Sequence, residues 1–256
     1  MSMKNKLALL LCAALVGCAS QKPPPQPSPA IQPAQARSKQ EPIPVQLSET
    51  KRAIVSLAKR EWDFFGRQTV VLDGEEESIP HVGKWEDDEE VYVFRVNWYW
   101  RAVGKPGLTG KHCREPWSAA FISWIMKEVG VPEYQFAREE AHWAYLSRIV
   151  ADSGDPYAAF VPREVSEYSP QPGDLVCATR GHGSADALTG LGFRSVLMEH
   201  TQLHCDIVVE RGADTLGVIG GNVRNSVSKT LLRLDQSGRV QPTRRRPWFL
   251  VLENRL

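Results

Sequence analysis

The chain has 256 residues, of which 42% are hydrophobic, and its formal net charge is +1. This charge balance shows no basic excess of the kind that binds nucleic acid, so no nucleic-acid partner is expected. The apolar content is sufficient for one sizeable folded domain.

The first residues have the features of a secretory signal. Lys4 and Lys6 precede the short apolar run "LALLLCAALV", which is too short to span a bilayer as a stable helix. The run leads into "LVGC", which resembles the lipobox of bacterial lipoproteins, with Cys18 at the cleavage point. We therefore predict a signal peptide over residues 1–17 and a lipid on Cys18. An ordinary signal peptide with a chance cysteine is the alternative.

Residues 18–47 are predicted to be a tether, because they are rich in proline, glutamine and serine and have few large apolar side chains. At ~3.1 Å per residue, an extended proline-rich chain of this length reaches roughly 90 Å, a distance that suits a target in the cell wall. Ala19, rather than aspartate, follows Cys18, as in lipoproteins of the outer membrane. The expected location is the outer membrane, with the domain facing the periplasm.

The folded part, residues 48–256, begins with predicted helices. A first helix follows Ser48, which is a favourable N-cap, and carries an apolar stripe at helical spacing. The polar, acidic residues 73–90 indicate a loop. Residues 90–104 favour a helix, and residues 137–154 predict a further one.

After Pro170 the apolar period changes from helical to alternating. Five short β-rich runs follow, separated by turn residues: "DLVCAT", "QLHCDIVVE", "TLGVIGG", "KTLLRLD" and "WFLVLEN". Helices followed by an antiparallel sheet predict an α+β fold in which the helices pack on one side of the sheet.

Three cysteines remain once the signal and the anchor are set aside: Cys113, Cys177 and Cys205. An odd number in an oxidising compartment allows one disulfide and one free thiol, and the count alone does not select the pair. The expected adjacency of "DLVCAT" and "QLHCDIVVE" favours a Cys177–Cys205 disulfide.

The stretch "CREPWSAAFISWIMKEVG" predicts an amphipathic helix that begins near Ser118. A nucleophile at a helix start has unpaired backbone N–H groups beside it, and these can stabilise an oxyanion. A histidine on an adjacent strand, where "LHCDIVV" contains His204, could then remove its proton. A third polar group on the neighbouring strand, where "IGGN" ends at Asn222, could hold the imidazole. Serine is equally suited to be an N-cap, so both interpretations of Ser118 stay open.

Two further residues of this region need an interpretation. Asp206 shares the strand face of His204 by period 2 and rivals Asn222 as the orienting partner. His200 and His204 are four residues apart, which suits metal ligands on a helix. Their segment is a predicted strand with no evident third ligand, so we expect no metal and no cofactor.

The order of these motifs is similar to that of cell-wall cysteine peptidases of the CHAP and NlpC type, which have a papain-like fold. More closely, the chain resembles the bacterial family known as domain of unknown function 2272, over roughly residues 50–252. Six segments carry that resemblance: "EWDFFG", "YWRAVG", "PWSAAFISWIM", "AHWAY", "HCDIVV" and "GGNV".

The resemblance implies a papain-like domain with Ser118 at the position of the nucleophile, His204 at that of the base and Asn222 at that of the orienting residue. His142, in the "AH" motif, and Trp117 are then candidate orienting or cleft residues, and a packing role is the alternative for His142. The chain departs from the peptidases in carrying serine instead of cysteine. A serine hydroxyl is not ionised in advance and depends on a base during attack.

The expected function is hydrolysis of amide bonds in peptidoglycan, with wall peptides as partners and the membrane contacted through the lipid. One alternative is a catalytically degenerate domain that binds wall peptides or an envelope protein. Another is a thiol enzyme that uses Cys113. The sequence leaves the oligomeric state open.

Overall fold

The computed structural model describes residues 47–180, 200–241 and 243–256. The predicted signal peptide, Cys18 and the tether up to residue 46 lie outside the described residues. Within the described ranges no helix is both long and apolar enough to cross a membrane. The helices of this part are α1 (Glu49–Phe64), α2 (Glu90–Ala102), α3 (Ser118–Glu128) and α4 (His142–Ala151).

One large sheet of eight strands accompanies these helices in the described ranges, so the fold is mixed α and β. Its strand order is β2-β1-β7-β6-β5-β4-β8-β3. The pair β1–β7 is parallel and the other neighbouring pairs are antiparallel. The strands are β1 (Thr69–Asp73), β2 (Glu76–His81), β3 (Phe160–Glu164), β4 (Leu175–Thr179), β5 (Leu203–Arg211), β6 (Thr215–Val223), β7 (Ser226–Arg233) and β8 (Trp248–Asn254).

The five strands predicted after Pro170 are confirmed as β4 to β8, and β4 and β5 are neighbours as expected. The sheet is larger than predicted, because β1, β2 and β3 precede Pro170. The interpretation of residues 73–90 as a loop is wrong over β2. This edge strand is mostly exposed, so its sequence has no apolar alternation that would predict a strand. Backbone hydrogen bonds to β1 hold it in the sheet.

The helices follow the sequence closely, with one exception. Ser48 caps α1, since its Oγ accepts a hydrogen bond from the backbone N–H of Lys51 at 3.2 Å. The helix predicted over residues 90–104 is confirmed as α2. The one predicted over residues 137–154 begins only at His142.

The sheet has an apolar cluster on each face. The larger cluster includes α1, α3 and α4 and receives Cys205 and Ile207 of β5, while Val208 belongs to the smaller one. Alternation along β5 therefore directs His204 and Asp206 away from the face that carries Cys205. Cys177 lies opposite Cys205 in register, and the two form a disulfide, which is the pair that strand adjacency favours.

Candidate functional site

Ser118 is the first residue of α3, and its hydroxyl does not act as a cap. The N-cap position belongs to Trp117. The Oγ atom of Ser118 lies 2.7 Å from Nε2 of His142 and accepts a hydrogen bond from Nη2 of Arg180 at 3.4 Å. The N-cap interpretation of Ser118 is therefore wrong, because its oxygen is directed at an imidazole and a guanidinium.

The N-terminus of α3 is fixed by the packing of the residue before it, Trp117. Trp117 is 1% exposed, stacks on Tyr99 with ring centroids 5.5 Å apart, and donates its indole N–H to Glu86. Gly221 makes this packing possible, since a Cβ there would lie 2.6 Å from both Trp117 and Phe121. Trp117 was expected to line the cleft. In the structure it is buried under the N-terminus of α3, where its contacts fix the position of Ser118.

His142 is brought to Ser118 by the segment that leads into α4. The hydroxyl of Ser123, on α3, donates to the carbonyl of Glu139 at 3.0 Å and accepts from its N–H at 3.1 Å. This double contact ties the residues before α4 to α3. Because α4 begins three residues after Glu139, its first side chain, His142, lies beside Ser118.

Both ring nitrogens of His142 have partners. Nε2 contacts Ser118, and Nδ1 lies 2.5 Å from the hydroxyl of Tyr145, one helical turn further on. Burial lowers the pKa of His142 well below its usual value, and electrostatic interactions with His204 and Arg180 lower it further. The imidazole is therefore neutral at neutral pH. The three side chains form a serine–histidine–tyrosine chain of hydrogen bonds.

His204 is close to this chain but is not the partner of Ser118. Its Nε2 lies 2.7 Å from Oδ1 of Asp206, and its Nδ1 accepts from Nη2 of Arg180 at 3.1 Å. Its ring centroid is 5.5 Å from that of His142. The predicted contact between Ser118 and His204 is thus corrected to one with His142. Of the two orienting partners left open for His204, the structure selects Asp206.

The pleat of the sheet accounts for the position of Arg180. Ala178 is the partner of His204 in the antiparallel register, so Arg180, two residues beyond Ala178, lies on the same face and diagonally across from His204. Asp206 stays ionised on this face. Burial opposes its charge, but His204, Arg246 and Arg180 outweigh burial and hold its pKa below the usual value.

Asn222 lies in the irregular part of β6, where the register with β7 shifts, and its backbone is left-handed with φ of 55°. It lines the cleft together with Ser118. No hydrogen bond of its side chain is formed with another residue in the described part of the chain. The structure therefore brings Asn222 to the cleft, while the role of orienting His204 falls to Asp206.

The cleft above Ser118 has a volume of about 430 Å³. Its walls combine polar side chains from α3, α4 and β6 with residues of the connecting segments, among them Arg180 directly after β4. The rings of Trp143 and His200, which both line the cleft, are in contact in a tilted arrangement, with centroids 4.7 Å apart. The lining side chains with polar or aromatic groups are Cys113, Arg114, Ser118, Glu140, His142, Trp143, Arg180, His200, Thr201, Gln202 and Asn222.

Cys113, the alternative nucleophile, lines the same cleft as an exposed, free thiol. Its Sγ lies 3.8 Å from Oδ2 of Asp87. Desolvation raises the pKa of the thiol, and the carboxylates of Glu86 and Asp87 raise it further. Because the thiolate is the reactive form of cysteine, these surroundings are unfavourable for nucleophilic catalysis by Cys113.

Sequence reasoning missed three residues of the site: Arg180, Tyr145 and Glu86. Two of them had a signal. Arg180 follows "DLVCAT", whose pairing with the His204 strand was expected, and Tyr145 is at the i+3 position from His142, one turn away. Glu86 had none, because it lies in an acidic stretch interpreted as a loop.

Comparison with known proteins gives one match. No curated protein and no solved structure matches the chain. One family profile matches residues 95–254, which begin within α2 and end at the last residue of β8. This range contains the serine–histidine–tyrosine chain and leaves out α1, β1 and β2. It is narrower than the resemblance over roughly residues 50–252. The chain belongs to the family DUF2272, described as an uncharacterized protein conserved in bacteria.

Proposed function

We propose that this protein is a serine-dependent amide hydrolase of peptidoglycan, with a papain-like domain related to the CHAP and NlpC peptidases. The observation that carries the proposal is the 2.7 Å contact between Ser118 Oγ and His142 Nε2 at the start of α3. A hydroxyl within hydrogen-bond reach of a neutral imidazole is the pairing that nucleophilic catalysis requires.

The proposed reaction begins with attack of Ser118 Oγ on the carbonyl carbon of an amide, while its proton passes to Nε2 of His142. This role needs the tautomer in which Nδ1–H donates to the hydroxyl of Tyr145. The C–N bond then breaks, and His142 returns the proton to the leaving amine. Water repeats the same steps on the acyl-serine and releases the acid.

The backbone at the start of α3 supports the proposal. The N–H of Phe121 makes the first hydrogen bond of the helix, to the carbonyl of Trp117. The N–H groups of the preceding turn therefore have no partner within the helix, and they lie beside Ser118. Donors of this kind stabilise the oxyanion that forms during acyl transfer.

A second candidate function, a non-catalytic domain that binds wall peptides, is favoured by two observations. Ser118 is only 2% exposed, because its hydroxyl lies between His142 and Arg180. Nucleophilic attack requires that Ser118 Oγ be accessible to the substrate, whereas peptide binding requires only the side chains that line the cleft. The low pKa of His142 also favours the binding domain over the hydrolase, because it makes the imidazole a weaker base.

Incubation of the full-length protein, in detergent, with purified peptidoglycan separates the two candidates. We expect soluble fragments by mass spectrometry from the unmodified protein and none from Ser118→Ala. Ser56→Ala, a hydroxyl on α1 that accepts from Arg60, is the matched control and should keep the activity. No release by any variant, together with retained peptide binding by Ser118→Ala, would favour the binding domain. A gain of activity in Ser118→Cys would show that the cleft is intact and that only the nucleophile was lost.

A further inference from the structure

Arg180 is positioned as a binding group directly above Ser118. Its backbone N–H donates to the carbonyl of Gln202 at 2.8 Å, which continues the pairing of β4 with the chain before β5. Its Nη2 donates to Nδ1 of His204 and lies 3.4 Å from Ser118 Oγ. The guanidinium thus extends from the sheet to the nucleophile position.

The pair His204–Asp206 orients this guanidinium. Because Nδ1 of His204 accepts from Arg180, Nε2 carries the proton and donates to Oδ1 of Asp206 at 2.7 Å. Asp206 is fully buried, and Gly220 leaves room for its carboxylate, since a Cβ there would lie 1.7 Å from Oδ1. His204 and Asp206 are accordingly positioning residues for Arg180.

The guanidinium keeps donors for a ligand. Arg180 has five N–H donors, and its contacts with His204 and Ser118 use only those of Nη2. Neither Arg180 nor Arg114, the second cation of the cleft, has a carboxylate within ion-pair distance in the described ranges. Glu140, a carboxylate of the lining, is paired with Lys105 at 2.9 Å. The cleft therefore offers positive charge to a ligand.

We propose that Arg180 binds a free carboxylate of the substrate, and that the amide attacked by Ser118 joins the last residue of a peptide to the rest. In such a peptide the α-carboxylate is three bonds from the scissile carbonyl carbon. A planar guanidinium that reaches Ser118 Oγ can hold that carboxylate while the carbonyl lies at the nucleophile. This inference rests on the proposed function for the reaction, but the carboxylate site itself can be tested without hydrolysis.

The reaction is a hydrolysis that releases one free amino acid. Ser118 Oγ forms a bond to the penultimate carbonyl carbon, the C–N bond to the terminal residue breaks, and His142 transfers the proton from Ser118 to the leaving nitrogen. Water then cleaves the ester. The step needs no oxidant, reductant or further reactant.

The test is a binding measurement on full-length Ser118→Ala protein in detergent. The probes are a synthetic pentapeptide of peptidoglycan composition with a free C-terminal carboxylate and the same peptide as a C-terminal amide. We expect the amide to bind at least about tenfold more weakly, as for loss of a charge-assisted hydrogen bond. Adding Arg180→Gln should remove this difference, and Arg180→Lys should retain part of it. Arg101→Gln, an exposed cation of α2 that does not line the cleft, is the control and should keep it.

Equal binding of the two peptides by Ser118→Ala, or a preference that survives Arg180→Gln, would overturn the inference, as would failure of both peptides to bind. Thermal unfolding of each variant verifies that it is folded. The unmodified protein is then incubated with both peptides. Release of the terminal amino acid from the free acid alone supports both proposals. A binding preference without hydrolysis keeps the carboxylate site and refutes the hydrolase.

Discussion

The Oγ atom of Ser118, on α3, lies 2.7 Å from Nε2 of His142, on α4, although the sequence motifs predict His204 as its partner. Both residues are the first of their helices. The proposed nucleophile and base therefore both lie at helix N-termini. The strand histidine, His204, accepts a hydrogen bond from Arg180 instead.

Replacement of His142 tests which histidine is the base. We expect His142→Gln to lower kcat by about 10²–10⁴-fold, as for loss of a general base. Tyr145→Phe should cost about 10–100-fold, because Nδ1 then lacks a buried partner. His81→Gln, an exposed histidine of β2 that does not line the cleft, is the control and should stay near the unmodified rate. The measurement is kcat on peptidoglycan fragments. If His142→Gln kept full activity and His204→Gln were inactive, the general base would be His204 and the assignment to His142 would be wrong.

The same histidine predicts the acid side of the pH profile. Burial, followed by electrostatic interactions with His204 and Arg180, lowers the pKa of His142, so the neutral form persists below the usual titration range of histidine. We therefore expect kcat to decline only well below about pH 6.5. A decline centred at or above that pH would contradict this assignment.

Glu86 gives a pH-dependent stability prediction with a defined sign. Burial raises its pKa to about 7, so from its usual range up to that pH the folded state holds a proton that the unfolded state has lost. Stability from this group is therefore lost as the pH rises through about 7. Glu86→Gln keeps an acceptor for the Trp117 N–H and stays neutral. We expect it to be more stable than the unmodified protein by up to about 3 kcal/mol at about pH 8.

Urea denaturation at about pH 5 and about pH 8 verifies this, and the difference should largely vanish at the lower pH. Glu115→Gln, an exposed carboxyl two residues before Trp117, is the control and should show no such change. A stability difference that is the same at both pH values would refute the assignment to Glu86.

Much of the fold could be predicted because the apolar patterns of α1, α3 and β4 to β8 reflect burial directly. Strand β2 could not, since its exposed residues leave no such pattern. The partner of Ser118 depends on a bond that no periodicity records, the one between Ser123 and Glu139. The order of motifs located the cleft, and three-dimensional packing decided which polar atoms meet.

Gly220 tests the space on which the Arg180 arrangement depends. A Cβ at this position would lie 1.7 Å from Asp206 Oδ1. We expect Gly220→Ala to destabilise the fold by about 1–3 kcal/mol in urea denaturation and to weaken the preference for a free carboxylate. Gly107→Ala, whose added Cβ meets no atom within 4 Å, is the control. An unchanged stability and preference in Gly220→Ala would contradict the contact.

The disulfide Cys177–Cys205 joins the two strands that lead to Arg180 and His204. It closes a loop with a sequence separation of 28 residues, and the chain-entropy model gives about 3–4 kcal/mol for such a loop. We expect a double replacement of these cysteines by alanine to lose that amount in urea denaturation. Cys113→Ala should lose little. Mass spectrometry after alkylation without reductant should label Cys113 alone among the three, and a labelled Cys177 would contradict the pairing.

The anchor prediction concerns Cys18, which lies outside the described residues. Because "LVGC" ends the signal, Cys18→Ala should leave the protein unlipidated and shift it out of the membrane fraction. Fractionation with metabolic labelling by a fatty acid provides the measurement. Acylation that persists in the variant would refute the assignment.

The parallel pairing of β1 with β7 has a consequence for how the chain acquires its structure. Thr69 pairs with Lys229, so this part of the sheet cannot close until most of the polypeptide has been made. Contacts between residues so distant in sequence are slow to form, because the intervening chain must first lose its freedom. Until β7 arrives, the paired β1 and β2 present an open edge to solvent, and an incomplete chain is at its most prone to aggregation.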